Sequence, residues 1–237
     1  MIQRYTVCHP KKVISNRFEA GILVSYKPNF NAGAGHKLPV ITNKTPDRVS
    51  LFQWGLVPFD SKDAQIGEKL LNARIETIKA KQPYTDLLPE KRCIIIADSF
   101  YFWKEVHGVS TPYRVTMKDE SLFAIAGVWD EWKMEDADEN ISFFGSFSMV
   151  TTEANNLIAD FSDRMPAILA TDQEKDWLDS IEETPLEDLL KLIKPFDSTK
   201  MRFYKVSNLV NNLEINSSKV TKELNNTSTG HTLSLFD

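Results

Sequence analysis

Three polar side chains recur at period two in Leu71-Asn-Ala-Arg-Ile-Glu-Thr77: Asn72, Arg74 and Glu76. If that segment is extended, successive side chains alternate and an amide, a guanidinium and a carboxylate share one face. Arginine suits phosphate through its bidentate fork, and Arg74 could equally be held by Glu76 or another carboxylate. Cys8 and Cys93 are the two cysteines. They make no disulfide framework, and zinc would want about four closely spaced Cys/His ligands. His9 adjoins Cys8, but nothing near it completes a metal set, so neither metal nor cofactor is expected.

The elements that must position these groups centre on Lys91-Arg-Cys-Ile-Ile-Ile-Ala-Asp-Ser-Phe-Tyr-Phe-Trp103. Cys93–Ile96 is an apolar, β-branched run that reads as a buried strand. It leads into Phe100, Tyr101, Phe102 and Trp103, a floor on which a site could be built. Before it, Met1–Cys8 alternates as a strand with Ile2, Tyr5 and Val7 inward. Lys12–Phe18 reads as a helix, Ile22–Tyr26 as a strand and Asn29–Gly35 as a loop. Pro39–Thr42 is another strand, and Lys62–Leu71 an amphipathic helix. After it, Tyr113–Met117, Leu122–Val128 and Ile141–Thr151 read as strands. Thr152 is a candidate N-cap, and Asp172–Ile181 and Pro185–Ile193 read as helices. Strands interspersed with helices, without βαβ alternation, argue for an α+β fold.

The 237 residues, 42% hydrophobic and 26% charged, fit a globular chain with a sizeable core. No run approaches a membrane span and no signal pattern opens the chain, so a cytoplasmic protein is expected. A net charge of −5 argues against indiscriminate nucleic-acid binding, while leaving room for a local basic groove.

Six blocks stand in a fixed order: Trp54-Gly-Leu-Val-Pro58, Asn72-Ala-Arg-Ile-Glu-Thr77, Arg92-Cys with Phe100-Tyr101 and Trp103, Trp129-Asp-Glu-Trp132, Thr151-Thr-Glu-Ala-Asn155 and Arg164-Met-Pro166. This set closely resembles the SOS response-associated peptidase family, also called abasic-site processing proteins, from the N-terminus to about residue 220. The resemblance implies a single compact β-rich domain of mixed or antiparallel strands with flanking helices. It also implies a basic groove for single-stranded DNA and a site for an abasic sugar. The implied chemistry uses a cysteine at position 2, whose α-amine condenses with the ring-opened aldehyde and whose thiol closes a thiazolidine. A glutamate, a histidine and an asparagine line the implied pocket. By the same resemblance, Arg4, Arg74 and Arg164 stand at phosphate and pocket positions, and Pro39 and Trp54 line the strand path. There an aromatic face could stack a base for about 1–3 kcal/mol.

The chain departs from that pattern where the chemistry lies. Position 2 is Ile2, the glutamate position is Phe102, and the histidine position is Ser162; Asn72 remains. Cys8 cannot offer an amine and a thiol on one residue, and it reads as a core strand residue. Glu105 reads as a solvated loop acid, and Asp160 and Asp163, flanking Ser162, as ordinary acids of a helix N-terminal region. An α-amine at Met1 would lie one residue out from its implied place and could at most form a reversible imine. The expectation is therefore a monomeric domain over residues 1–224 that binds single-stranded or abasic DNA without thiol-dependent capture. The rivals are an imine-forming enzyme and a protein-interaction module. Residues 225–237 read as a polar tether ending in Thr232-Leu-Ser-Leu-Phe236. That ending resembles the peptide that docks on the bacterial sliding clamp, with Leu233, Leu235 and Phe236 as anchors.

Overall fold

A computed structural model describes residues 1–224 except 107, 136–140, 180, 181 and 183. The tail expectation at Leu233, Leu235 and Phe236 lies outside the described residues. In chain order the elements are β1 (Tyr5–Val7), α1 (Lys11–Phe18), β2 (Asn29–Ala32), β3 (Lys37–Thr42), β4 (Thr45–Trp54), β5 (Asn72–Arg74), α2 (Tyr84–Leu87), β6 (Arg92–Ala97) and β7 (Ser99–Val106). They continue as β8 (Val109–Met117), β9 (Phe123–Glu135), β10 (Ile141–Glu153), β11 (Arg164–Pro166), β12 (Ile168–Leu169), α3 (Glu174–Leu178), α4 (Leu186–Lys191) and β13 (Met201–Lys205).

Five of these strands close on themselves. β10 pairs β4, β4 pairs β3, β3 pairs β6, β6 pairs β9, and β9 returns to β10, with β5 and β11 added on β10 and β12 on β9. The expected α+β class and single β-rich domain are therefore what the chain forms. Closure puts every residue of β6 out of solvent, which explains why Cys93–Ile96 reads as unbroken apolar sequence rather than as an alternation. Gly127 lies where β9 crosses β6. A Cβ there would come within 2.8 Å of Cys93 Sγ and 2.9 Å of Ile95 Cδ1, so only glycine lets the two strands pair.

A second sheet runs β13-β8-β7-β1-β2. The central stretch is thus two strands rather than one. Asp98 separates β6 in the barrel from β7 in the second sheet. Ile2, Tyr5 and Val7 are all buried. The strand spans only Tyr5–Val7, however, and Thr6 is buried as well, so β1 is covered on both faces instead of alternating. Arg92 is wholly buried and donates to the carbonyls of Trp177, Leu88, Pro89 and Asp179, binding α3 and the turn before β6 to the barrel.

Four local expectations fail for identifiable reasons. Ile22–Tyr26 is irregular. Leu23 points outward, and the Tyr26 hydroxyl pins the loop by donating to the carbonyls of Val7 and His9. Asn29–Ala32 is a strand instead of a loop, paired with β1, and buried Asn31 donates from Nδ2 to the carbonyls of Val210 and Asn212 while its Oδ1 has no protein partner. Lys62–Leu71 forms only a 3-10 turn over Ala64–Lys69. Gly67 lies so close to Gly55 that a Cβ would come within 2.7 Å of the Gly55 carbonyl oxygen. Thr152 stays inside β10. The segment after β10 is a turn and not a capped helix, closed by Asn155, whose Oδ1 accepts from the amides of Leu157 and Ile158.

Candidate functional site

β5 lies parallel to β10, with Asn72 opposite Met149 and Arg74 opposite Thr151. This pairing sets Asn72 beside the chain entering β1. Its Nδ2 donates to the carbonyl oxygen of Ile2 at 2.9 Å, and its Oδ1 is buried without a protein partner. Ile2 is wholly buried while Met1 is 73% exposed, so the position implied for a thiol holds a core side chain. Arg74 is exposed, and Glu76 falls in the turn after β5 instead of on the strand. The sharing of one face by Asn72, Arg74 and Glu76 therefore stops at Arg74.

The other two departing positions meet through an intermediary. Phe161 lies over Phe102, with centroids 6.2 Å apart and planes 20° apart. Phe161 also makes edge contacts with Tyr113 at 5.1 Å and Phe203 at 4.8 Å. Phe102 is 5% exposed and packs edge-on against Phe100. Ser162 follows directly, and its Oγ accepts from the Arg164 amide at 3.0 Å. Rings thus occupy the space around the positions where the resemblance implies a carboxylate and an imidazole. No acid takes their place. Glu105 lies exposed on β7, a strand and not the expected loop, opposite Ser110. Asp160 and Asp163 are both exposed, and Asp160 lies 4.0 Å from Lys104.

Three DNA-contact expectations need correction. Trp54 is 0% exposed, donates from Nε1 to the Leu71 carbonyl at 2.9 Å and meets Tyr5 edge-on at 5.0 Å. It is core, and no face is open to a base. Pro39 is buried in β3 opposite Leu51. Arg164 is 6% exposed, with Nη1 on Glu76 Oε1 at 2.7 Å and Nη2 on the Thr151 carbonyl at 2.6 Å. Its fork is spent inside the protein. Burial alone would raise the Glu76 carboxyl, but Arg164 and then Arg74 hold it below the usual value. Arg74 and Arg4 remain within reach of an anion. Arg4 is half-buried, with Nη1 on the Gln3 carbonyl at 2.9 Å. Burial lowers its pKa. Burial, and then the charge of Arg4, also lowers the pKa of His36.

The sequence reading missed the polar group at Asp98. This carboxylate is 2% exposed and accepts from Thr6 Oγ1, the Cys8 amide and Arg114 Nη2, with His9 Nδ1 at 3.2 Å. Burial would raise Asp98, yet these donors, led by His9, hold it low. The bond to Asp98 in turn raises His9. Burial and the Asp98 charge push the Cys8 thiol well up, so it is no nucleophile, and it sits half-buried just past β1 rather than in it. An aspartate between an apolar strand and an aromatic one was the available signal. Among the described residues no three His, Cys, Asp or Glu side chains gather as a metal set, and no helix is long and apolar enough to cross a membrane.

This arrangement can be set beside known proteins. The Bacillus subtilis "Abasic site processing protein YoaM" is 38% identical over 197 residues, spanning 82% of this chain and 85% of that protein. The Gallus gallus "Abasic site processing protein HMCES" is 30% identical over 220 residues, spanning 79% of this chain and 64% of that one. A solved protein of Bacteroides thetaiotaomicron superposes with a TM-score of 0.83 at 27% identity, covering 93% of this chain and 99% of its own. The sequence profile of the SOS response associated peptidase (SRAP) family matches residues 1–213, and the chain belongs to that family.

Proposed function

We infer that this protein recognises single-stranded DNA at abasic sites and does so without thiol-dependent covalent capture. The observation that carries the reading is the filling of the reactive positions by apolar groups within a retained scaffold. Ile2 is buried against the core with its carbonyl held by Asn72, and Phe102 lies under Phe161. A thiazolidine needs an amine and a thiol on one residue, and position 2 carries neither a thiol nor an exposed side chain. A proton relay needs a titratable pair, and phenyl rings cannot transfer protons. The names of the relatives, family membership and the two accessible cations Arg4 and Arg74 support the DNA-binding half of the reading. A domain of this net charge binds strands through a local patch, so affinity should fall steeply with salt.

A second reading keeps a reversible covalent step. Met1 is 73% exposed beside Ile2, so an α-amine there would be open to an aldehyde. With no thiol to close the ring, the product is an imine that water reverses. Incubating the protein with abasic single-stranded DNA, with and without borohydride, decides between them on a denaturing gel. The recognition reading expects native-gel binding and no denaturing-gel band under either condition. A band only with reductant establishes the imine, and a band without reductant overturns both readings. Absence of native-gel binding would favour a protein-interaction module.

A further inference from the structure

We propose that the aromatic patch Phe102, Tyr113 and Phe203, with Lys205 and Lys104 on its outward side, is a stacking subsite for one unpaired nucleobase and an adjacent phosphate. This rests on the single-strand reading above and names where a strand that enters the domain is held by its base.

The patch follows from register. β7 and β8 pair Phe102 with Tyr113 and Phe100 with Val115, and β8 and β13 pair Val115 with Phe203 and Tyr113 with Lys205. Side chains two apart on a strand share a face. Each of the three strands therefore runs outward along one face of the second sheet, from core residues (Phe100, Val115 and Met201) through a ring. On the two outer strands the next residue on that face is a lysine, Lys104 on β7 and Lys205 on β13. Phe161 caps the patch from the segment before Ser162, and Lys104 Nζ lies 5.4 Å above its ring.

The rings differ in what they offer. Phe102 is buried, and Phe161 stacks on Phe102 and also carries Lys104 Nζ 5.4 Å from its centroid. Phe203 is 40% exposed and meets Tyr113 edge-on at 5.8 Å, so it is the ring with a free surface. Phe203 thus presents an exposed phenyl with Lys205 two residues outward on its own strand and Lys104 farther outward on β7, which matches a group that is flat and apolar with its anionic chain on the outward side. An unpaired base in a sugar-phosphate chain has that chemistry. Asp160, exposed and 4.0 Å from Lys104, is the carboxylate a phosphate would displace. The ring that stacks bases in this chain is thus Phe203, and not the buried Trp54.

The test is fluorescence anisotropy of labelled oligothymidylate with wild-type protein, Phe203→Ala, Phe203→Trp and the double charge reversal Lys104→Glu/Lys205→Glu. Phe203→Ala should weaken binding about 5- to 100-fold, in line with the loss of one base–aromatic stack, and Phe203→Trp should restore it. On an otherwise identical strand carrying abasic spacers in place of bases, the Phe203→Ala penalty should disappear while the charge reversal still weakens binding. Wild-type binding that is indifferent to both Phe203→Ala and the charge reversal overturns the subsite and leaves the single-strand reading intact. A Phe203→Ala penalty that persists on the base-free strand also overturns it, because the ring would then act through the fold. If wild-type protein binds no single strand, the parent reading fails and the subsite with it.

Discussion

Asn72 Nδ2 donates to the carbonyl oxygen of Ile2 at 2.9 Å. The one amide that survives from the family's implied reactive set therefore holds backbone, and it holds the backbone of the residue that replaces the implied thiol. Asn72→Ala should lower stability by about 1 kcal/mol in urea unfolding, the usual worth of one such bond. Asn72→Asp should lower it further, because a carboxylate would face the Ile2 carbonyl oxygen. Equal stability in both variants would show that the bond does not hold the N-terminal segment.

Phe102→Glu would restore the family's residue type, but in a pocket now walled by Phe100 and Phe161. A carboxylate there is desolvated among phenyl rings, so the variant should lose about 2–4 kcal/mol at neutral pH. Burial raises the pKa of such a group, so the loss should shrink as pH falls toward the carboxylate's unfolded value. Urea midpoints at neutral and mildly acidic pH measure this, and a pH-independent deficit would contradict it.

Asp98 and His9 set opposite pH limits. Asp98 is held below the usual aspartate range, so its contribution is present above that range and is lost as pH falls through the still lower folded pKa. His9 is raised above 6.5, so its contribution is complete below 6.5 and is lost as pH rises through the higher folded value. His9→Asn should therefore flatten the neutral-to-alkaline slope of thermal stability and, by weakening the leading donor to Asp98, move the acid limb to higher pH. An unchanged slope would remove His9 from the network.

Arg74 and Arg164 should separate binding from folding. Arg74 is exposed, so Arg74→Ala should leave stability within about 0.5 kcal/mol and reduce the salt slope of single-strand affinity by about one ion. Arg164→Ala leaves the buried Thr151 carbonyl without its donor, while exposed Glu76 stays solvated, and should cost about 1–3 kcal/mol. The opposite assignment of effects would reverse their roles.

Trp54→Phe removes the Nε1 bond to the Leu71 carbonyl and should cost about 1 kcal/mol of stability. Single-strand affinity should stay at the wild-type level. A loss of affinity without a loss of stability would reinstate Trp54 as a contact residue.

Much of the architecture was legible because its signals are local. The apolar run Cys93–Ile96 and the strands ending at Met117 and around Thr151 follow from local residue type. What failed depended on distant partners. Asn31 lies in a segment that reads as a loop, and its Nδ2 is taken up by the distant carbonyls of Val210 and Asn212. The helix expected over Lys62–Leu71 is cut short by the approach of Gly67 to Gly55. At the site, the replacements at positions 2, 102 and 162 were plain from residue identity, whereas the ring of Phe161 over Phe102 joins residues 59 positions apart.

By itself the sequence determined which side chains exist to do chemistry. An isoleucine at position 2 and a phenylalanine at 102 cannot supply a thiol or a proton in any fold, and the six ordered blocks identify the family whatever their packing. Only the tertiary structure decided which of the remaining groups water or a ligand can reach. Trp54, Pro39 and Arg164 carry the right types for a strand path, yet barrel closure and the Glu76 pair place them inside. Phe203 gives no local signal, yet the β8–β13 register leaves its ring at the open margin of the second sheet. The physical reason is that residue type is set one position at a time, while exposure is set by whichever distant segment covers that position.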